Sequence, residues 1–249
     1  MFDAQYKGNS TTESIGDPVT AELVWQDAKN LIQDIYYVSK EKKIVAVTAP
    51  GTSGNAVVAA CGADGEILWS WHLWIADYDP AASLYTTPAN ASGTTWTFMD
   101  RNVGATEFDG ALVGSLGVYF QWGRKDPFPH PATCQDINKR ADAVYAEGFE
   151  YAVSYPRNAG TESPYDNMTV EWSIAHPTTF MSDAMYEDWE EWTSVADWLY
   201  NHHPNLWGNI TTSNSNISKI SYKSIYDPCP VGWKVPSPED FVGIERASQ

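Results

Sequence analysis

Carboxylate side chains crowd around two tryptophans in the stretch 187–192, which reads Glu-Asp-Trp-Glu-Glu-Trp. Two carboxylates beside aromatic rings that stack on sugars are the groups a glycoside hydrolase uses. Neighbouring residues of a helix point in different directions, however, and an acidic solvent face beside a buried Trp stripe explains the same residues. We therefore expect a structural role and no catalytic residues, and keep a glycan-processing enzyme that uses these carboxylates as an alternative.

Other patterns that carry chemistry are weak or missing in the sequence. His202 and His203 are adjacent at a predicted helix end, where two neighbouring rings cannot readily face one metal ion. The sequence contains no Gly-x-Ser-x-Gly elbow, Walker loop, Gly-x-Gly-x-x-Gly turn or His-Glu-x-x-His pair. The Glu-Pro-Asn and Gln-Pro-Asp triplets of calcium-dependent lectins are also missing. We expect no enzymatic activity, no metal site and no cofactor.

Binding is the better supported chemistry, because aromatic residues are scattered through a long turn-rich stretch that ends near residue 177. Long irregular segments in compact domains are commonly functional. Exposed rings there suit stacking on sugars or contact with a protein partner. The same rings could instead fold back and plug the loop region, and the sequence does not separate these two readings. The candidate ligand-binding residues are Tyr145, Tyr151, Tyr155, Tyr165 and Trp172.

Charge and composition narrow the class of partner. The 249 residues carry a net charge of −17, which argues against nucleic acid and anionic lipid head groups as partners. The hydrophobic content of 43% and aromatic content of 14% indicate a folded core. No apolar stretch reaches the roughly 18 residues that span a bilayer. Three scattered cysteines, Cys61, Cys134 and Cys229, are compatible with one disulfide and a free thiol, with three free thiols, or with disulfide partners in parts of the protein outside this chain.

Short strand patterns dominate the first third of the chain. Strands are expected at residues 21–25, 34–39, 43–48, 55–60 and 66–75, and later at 94–100 and 118–122. The most apolar of these, 66–75, is expected to be buried on both faces. Residues 182–200 show the spacing of an amphipathic helix, and Ser237 with Asp240 three residues later resembles a capping box that opens a last helix. A polar connector places a domain boundary near residue 88.

Four stretches resemble one family of bacterial surface proteins. They are Ile67-Leu-Trp-Ser-Trp-His-Leu-Trp-Ile, Phe98-Met-Asp-Arg-Asn-Val-Gly-Ala-Thr, Tyr119-Phe-Gln-Trp-Gly-Arg-Lys-Asp-Pro-Phe and Asp227-Pro-Cys-Pro-Val-Gly-Trp-Lys-Val-Pro-Ser-Pro-Glu-Asp-Phe. Together they resemble the FISUMP, or major paralogous, domain of fimbrillin-associated proteins. In that family the Cys of Asp-Pro-Cys-Pro pairs with a Cys near the end of the domain. The resemblance therefore implies a fragment that lacks both ends.

The resemblance also implies a fold and a location. The expected fold is mostly β with an α+β second half: a small antiparallel β-sandwich at 1–88 and an incomplete C-type-lectin-like domain at 89–249. The expected place is extracellular, at the outer-membrane surface, with the signal peptide and a lipid anchor outside this chain. The lectin-like formylglycine-generating enzymes need two neighbouring late cysteines, and this chain has only Cys229 there.

These observations predict a non-catalytic adhesion or binding protein whose ligand is a glycan or a protein. A structural pilus-associated subunit that exchanges a strand with other pilus subunits is kept as a further alternative. Trp233 follows Gly232 in a segment bracketed by prolines and shares its side with Val235, which predicts a buried core residue.

Overall fold

The computed structural model describes residues 1–89, 93–129, 169–179, 198–199, 203–208 and 222–241. Within these ranges the chain forms ten β-strands, one short α-helix and two 3-10 turns. The helix, α1, is Val170–Ala175, and the 3-10 turns are Val113–Ser115 and Pro238–Phe241. The strands are β1 Phe2–Asp3, β2 Thr20–Gln26, β3 Ile32–Val38, β4 Lys43–Thr48, β5 Gly54–Cys61, β6 Ile67–Ile75, β7 Leu84–Thr86, β8 Thr97–Met99, β9 Tyr119–Phe120 and β10 Pro127–Phe128.

Two three-stranded sheets form the main body of the described residues. One has the strand order β2-β5-β6 and the other the order β1-β4-β3. Two smaller pairs, β7 with β8 and β9 with β10, follow later in the chain. Every pairing is antiparallel. The described residues are therefore mostly β with little helix, which confirms the β-rich fold expected from the short alternating strands.

Strand β5 is the buried centre of its sheet. All eight of its residues are buried, and the five from Ala56 to Ala60 have no exposed surface. The sequence favoured β6 for this place, but on β6 only Trp69 and Ser70 are buried and the other residues are partly exposed. The reason is position, because β5 lies between β2 and β6 whereas β6 lies at the edge of its sheet. The apolar side chains of β6 are therefore not explained by burial between two neighbouring strands.

Two apolar clusters hold the sheets together. In the first, Leu31, Ile32 and Ala56 pack against partly buried side chains from β2, β3, β4 and β6, so the two sheets face each other across it. The second cluster contains Ala60 and Trp69 and brings together distant parts of the chain. Its other buried members are Ala4, Ile15, Ile44, Ile174 and Ile225.

Contacts cross residue 88, where the sequence places a domain boundary. Strand β7 before the boundary pairs with β8 after it, with Tyr85 opposite Phe98. Asn55 of β5 donates from Nδ2 to the carbonyl oxygen of Gly104 at 2.9 Å. The second apolar cluster also joins β5 and β6 to α1. Residues on both sides of position 88 thus share one core, and a division into two domains stays a prediction.

The two helices expected in the second half have different outcomes. The helix at 182–200 lies outside the described residues except for Trp198 and Leu199. At Ser237 the chain does begin a helical turn, because the Ser237 backbone N–H donates to Asp240 Oδ2 at 2.7 Å. Up to Phe241 this turn is a 3-10 turn. Within the described ranges no helix has both the length and the apolar character needed to cross a membrane.

Candidate functional site

Two neighbouring cavities are the candidate binding sites of the described residues. The larger, here called the large cavity, has a volume of about 1060 Å³ and lies between β8, the loop that follows it and residues 229–241. The smaller, here called the edge cavity, has a volume of about 390 Å³ and runs beside β6. Val103 and Cys229 line both of them. Ligand pockets typically measure about 300–1,000 Å³, so both cavities have the size of a small-molecule site.

Aromatic rings dominate the apolar lining of the large cavity. The rings of Phe98 and Phe241 lie 5.6 Å apart between centroids, although their residues are 143 positions apart in the chain. Phe108 and Phe241 are 66% and 51% exposed, so their rings lie where a ligand can reach them. The full aromatic set is Trp96, Phe98, Phe108, Trp233 and Phe241.

Asp227 shapes the loop that carries Trp233. Its side chain has no exposed surface and accepts hydrogen bonds from the backbone N–H groups of Cys229 and Val235, each at 2.8 Å. Lys223 Nζ donates to the same carboxylate at 2.8 Å. Between these anchors the chain turns at Gly232, whose φ of +86° favours glycine. The Asp-Pro-Cys-Pro-Val-Gly-Trp sequence is thereby held as one rigid wall.

Trp233 is partly buried on that wall, which differs from the buried core position that the sequence predicts. Its backbone N–H donates to the carbonyl oxygen of Pro230 at 3.0 Å and closes the turn. The period-two argument treats the segment as a strand facing a core. The segment is instead a loop, and one side of the Trp233 ring faces the large cavity.

The wall opposite is formed by the loop that follows β8. Asn55 binds the Gly104 carbonyl, and Trp74 Nε1 donates to the Ala105 carbonyl at 3.1 Å. Gly104 has a φ of +83°, and a Cβ atom there would come within 2.9 Å of Asn55 Oδ1. The close approach therefore requires glycine at this position. It fixes Asp100 and Arg101 at the mouth of the large cavity.

Charged groups of the large cavity are paired with each other. Arg101 donates from Nε to Asp100 Oδ1 at 2.9 Å, and Lys234 Nζ lies 3.4 Å from Asp240 Oδ2. Glu107, the remaining carboxylate of the lining, forms no ion pair among the described residues. Arg101 is therefore held by its sequence neighbour Asp100.

The edge cavity lies beside β6, the strand at the margin of its sheet. Tryptophans at positions 69, 71 and 74 and the ring of Tyr78 contribute to its lining. Lys125 covers one face of the buried Trp69 ring, with Nζ at 4.5 Å from the ring centroid. These aromatic side chains account for the apolar sequence of β6. They line a cavity beside the strand, which pairs only with β5 among the described strands.

Lys125 and Ser70 meet in this cavity in an arrangement that superficially resembles a Ser–Lys catalytic pair. Lys125 Nζ contacts Ser70 Oγ, but it also donates to Asp126 Oδ1 and Oδ2 at 2.7 and 2.8 Å. Ser70 Oγ in turn donates to Asp126 Oδ1 at 2.6 Å. Burial lowers the pKa of Lys125, and the Asp126 carboxylate opposes that shift. Lys125 Nζ, Ser70 Oγ and the Asp126 carboxylate are therefore bound to one another within this cavity wall.

His72 belongs to a separate buried network. Asn55 uses Nδ2 to donate to Asp27 Oδ2 at 2.8 Å, so its Oδ1 accepts from His72 Nε2 at 2.9 Å. Burial lowers the pKa of His72 to about 4, against a smaller opposing effect of Asp126. Burial also raises the pKa of Asp27. The imidazole is therefore neutral near pH 7 and serves as a fixed donor.

Arg124 is buried, and its guanidinium binds backbone carbonyl groups. Its NH2 group donates to the carbonyl oxygens of Ser173 at 3.1 Å and His176 at 3.0 Å, and its NH1 group donates to that of Thr179. These carbonyls lie in and just after α1, so the guanidinium caps the end of the helix. Burial lowers the pKa of Arg124 to about 10. The neighbouring Asp126 pairs with Lys125 instead.

Of the predicted ligand-binding residues, four lie outside the described residues, namely Tyr145, Tyr151, Tyr155 and Tyr165. Trp172 lies on α1 and is partly buried. Its ring stacks on His176 at 3.8 Å between centroids and packs against the cluster of Trp198, Leu199 and Leu206. The structure does not place Trp172 in either cavity.

Sequence reasoning missed the large cavity, although its residues were in view. Phe98 and Trp233 belong to the family-like stretches, and the sequence predicts a core position for Trp233 and no site at Phe98. The available signal was the presence of aromatic and charged residues together in loop segments, at Phe98-Met-Asp-Arg and Gly232-Trp-Lys. These two segments are more than a hundred residues apart in the chain, and only the tertiary fold brings them together.

Cysteines and metal-binding groups give no further site in the described part of the chain. Cys61 and Cys229 are free thiols. Burial, with a contribution from Asp227, raises the pKa of Cys229 to about 12, so it is protonated near neutral pH. No cluster of three His, Cys, Asp or Glu side chains suited to a metal ion occurs among the described residues. No protein-family model matches the chain, and no curated protein or solved structure shows significant similarity to it.

Proposed function

We propose that this chain is a non-catalytic binding or adhesion protein of the bacterial cell surface, with a glycan or a protein as its ligand. The observation that carries the proposal is the large cavity, where five aromatic residues line about 1060 Å³ beside two internal ion pairs. Rings that are exposed in a cavity with nearby polar groups are typical of ligand sites. The large cavity is the binding site of this proposal.

A binding role is preferred to catalysis because the reactive groups in the cavities have other tasks. Lys125 Nζ is bound to both oxygens of Asp126, His72 is a neutral donor to Asn55, and the Cys229 thiol is protonated. A general base or nucleophile must be free to exchange a proton at working pH. The acidic residues 187–191, on which the glycan-processing alternative depends, lie outside the described residues.

The proposal includes a C-type-lectin-like fold for residues 89–249 and membership in the FISUMP group. Support comes from the short antiparallel pair β9–β10, helix α1 and the loops that build the large cavity. The family-like stretches from Phe98 and from Asp227 form opposite walls of that cavity. Attachment to the outer membrane through a lipid anchor outside this chain belongs to the same proposal.

A structural pilus subunit is the second candidate, and one observation favours it. Strand β3 is seven residues long and lies at the edge of its sheet, where it pairs only with β4 among the described strands. An edge of this length offers backbone groups to a strand from another chain. Concentration-dependent assembly that a proline at Tyr36 abolishes would support this role.

The proposed binding role is tested by screening the purified chain on glycan and protein arrays. The Trp233→Ala variant should lose at least tenfold in affinity for the ligand found, because Trp233 lines the large cavity. Tyr36→Ala is the matched control, since Tyr36 is 47% exposed on β3 and lines neither cavity. Turnover of a glycan without stable binding, or equal loss in both variants, would contradict the proposal.

A further inference from the structure

The ion pairs of the described residues all lie at the two cavities. Every lysine or arginine that lines the large cavity or the edge cavity has its own carboxylate partner within 3.4 Å. The pairs are Arg101–Asp100, Lys125–Asp126, Lys223–Asp227 and Lys234–Asp240. The described lining therefore offers no uncompensated cation to an anionic ligand.

The charge that remains is negative. Glu107 forms no ion pair among the described residues, and the chain as a whole carries −17. A phosphate, sulfate or carboxylate in either cavity would lose its hydration and meet this field without a free positive partner. The electrostatics thus select against acidic ligands.

The same pairs suit hydroxyl groups. A carboxylate has about four acceptor positions, so Asp100, with two hydrogen bonds from Arg101, and Asp240, with bonds from Lys234 and the Ser237 N–H, keep lone pairs for further donors. Asp100 and Asp240 lie on the lining of the large cavity together with the Trp233 and Phe98 rings. A sugar ring has an apolar face of C–H groups and a rim of hydroxyl groups. The aromatic rings suit the C–H face, and the neighbouring carboxylates suit the hydroxyl groups.

The two cavities adjoin, and one loop passes between them. Pro228 and Val231 line the edge cavity, Gly232 and Trp233 line the large cavity, and Cys229 lines both. Arg101 of the large cavity lies over the Tyr78 ring of the edge cavity, with its Cζ atom 3.9 Å from the ring centroid. A ligand long enough to cross this common wall would contact aromatic rings on both sides.

An extended peptide fits the edge cavity less well. A peptide that adds a strand to β6 needs the free backbone groups of that edge. The carbonyl oxygen of Ser70 is already bound by Lys125 Nζ at 3.1 Å, and the ammonium group occupies the place of an added strand. The edge cavity therefore favours a ligand that uses rings and hydroxyl groups.

We propose that the large cavity and the edge cavity together bind a neutral, linear oligosaccharide, with the edge cavity as a second subsite. This inference rests on the proposed binding function and names its ligand class. It makes two separate claims, that the ligand carries no negative charge and that its affinity grows with chain length.

Calorimetric titration of the whole chain with defined oligosaccharides tests both claims. The probes are cello-, xylo-, malto- and N-acetylchito-oligosaccharides of two to six units, with oligogalacturonides of equal length as the acidic comparison. At least one neutral series should gain tenfold or more in affinity between two and six units, and the acidic series should bind at least tenfold more weakly. Tighter binding of the acidic series would overturn the neutrality claim.

Variants separate the two subsites. Trp233→Ala should abolish binding of every length, whereas Trp71→Ala in the edge cavity should remove only the gain of the longer chains. Val231→Trp is a second block that does not disturb the core, because Val231 is 91% exposed at the edge cavity. Tyr36→Ala should leave all affinities unchanged. An affinity that is independent of length in the unmodified chain would overturn the second subsite.

The outcomes also separate this inference from the proposed function. Binding of a protein partner that depends on Trp233, with no neutral oligosaccharide bound, would overturn the ligand class and leave the binding function in place. If neither glycans nor proteins bind in a Trp233-dependent manner, the proposed function itself fails.

Discussion

The guanidinium of Arg101 lies over the phenol ring of Tyr78, with the Cζ atom 3.9 Å from the ring centroid, while its nitrogens bind both oxygens of Asp100. The flat face of the guanidinium therefore stacks on Tyr78 while its N–H groups donate to Asp100. Lysine can supply neither geometry. The stacked pair also forms part of the wall that the two cavities share.

Replacing Arg101 by lysine should therefore destabilise the fold although the charge is kept. We expect a loss of about 1–2 kcal/mol in the free energy of unfolding, measured by chemical denaturation. Lys40→Arg is the reverse control at an exposed lysine that lines neither cavity, and should change stability by less than about 0.5 kcal/mol. Equal stability of Arg101→Lys and the unmodified chain would show that the stack contributes nothing.

The Lys125–Asp126 pair should behave as a buried ion pair. Lys125→Met leaves the Asp126 carboxylate, whose side chain is 3% exposed, without its cation, and should cost about 3–5 kcal/mol. Adding Asp126→Asn removes the stranded charge, so the double variant should be more stable than Lys125→Met alone. A double variant that is less stable than the single one would argue against this account.

His72 should make stability depend on pH between about 4 and 6.5. Burial lowers the pKa of His72 to about 4, so in this window the unfolded chain binds a proton that the folded chain does not. The free energy of unfolding must therefore fall as the pH drops through the window. His72→Gln keeps a donor for Asn55 without titrating.

The comparison is made by denaturation at pH 7 and at pH 4.5. The unmodified chain should lose on the order of 2 kcal/mol more than His72→Gln over this interval. Other titrating groups contribute to both proteins and cancel in the difference. Parallel pH profiles would show that His72 is not buried as a neutral ring.

Two glycines with similar backbone angles should respond differently to alanine. Gly8 has a φ of +51°, and a Cβ atom there would meet the Ile225 carbonyl oxygen at 2.4 Å. Gly51 has a φ of +70° and no atom within 4 Å of the same position. Gly51→Ala should cost about 1 kcal/mol for its left-handed backbone, and Gly8→Ala clearly more. Equal melting temperatures would mean that the N-terminal loop is not docked on Ile225.

Two tryptophans of the cavities should differ in their contribution to stability. Trp69 is 1% exposed within the second apolar cluster, so Trp69→Ala should cost about 3–5 kcal/mol. Trp233 is only partly buried, and Trp233→Ala should cost less, about 1–3 kcal/mol. A larger loss at Trp233 than at Trp69 would restore the core position that its sequence context predicts.

Local signals predicted strands β2 to β6 well, whereas the short strands β1, β7 and β10 were not expected. The expected strand at 43–48 is β4, and that at 66–75 differs from β6 by one residue. Alternation of apolar residues between turns identifies such segments without knowledge of the rest of the fold. The hydrogen bond from the Ser237 backbone N–H to the Asp240 carboxylate was also predictable, because capping involves residues three positions apart.

What the sequence did not show depends on distant partners. The burial of β5 follows from the two strands that flank it. Its own sequence contains small residues such as Ala56 and Ala59, which do not distinguish a central strand from an edge strand. The large cavity needs Phe98 and Phe241 to meet, and no local pattern specifies that approach. Trp233 was assigned to a core for the same reason, since period-two reasoning does not apply to a loop.

Each lysine or arginine of the described cavity lining is balanced by one carboxylate partner, so a single substitution changes the charge that the lining offers to a ligand. Asp100→Asn or Asp240→Asn keeps the size of the side chain but releases Arg101 or Lys234 from its partner. A released guanidinium or ammonium group is a ready contact for an acidic sugar. The charge of a ligand accepted by the proposed site would therefore be set by two side chains of the lining, independently of the sheets that support it.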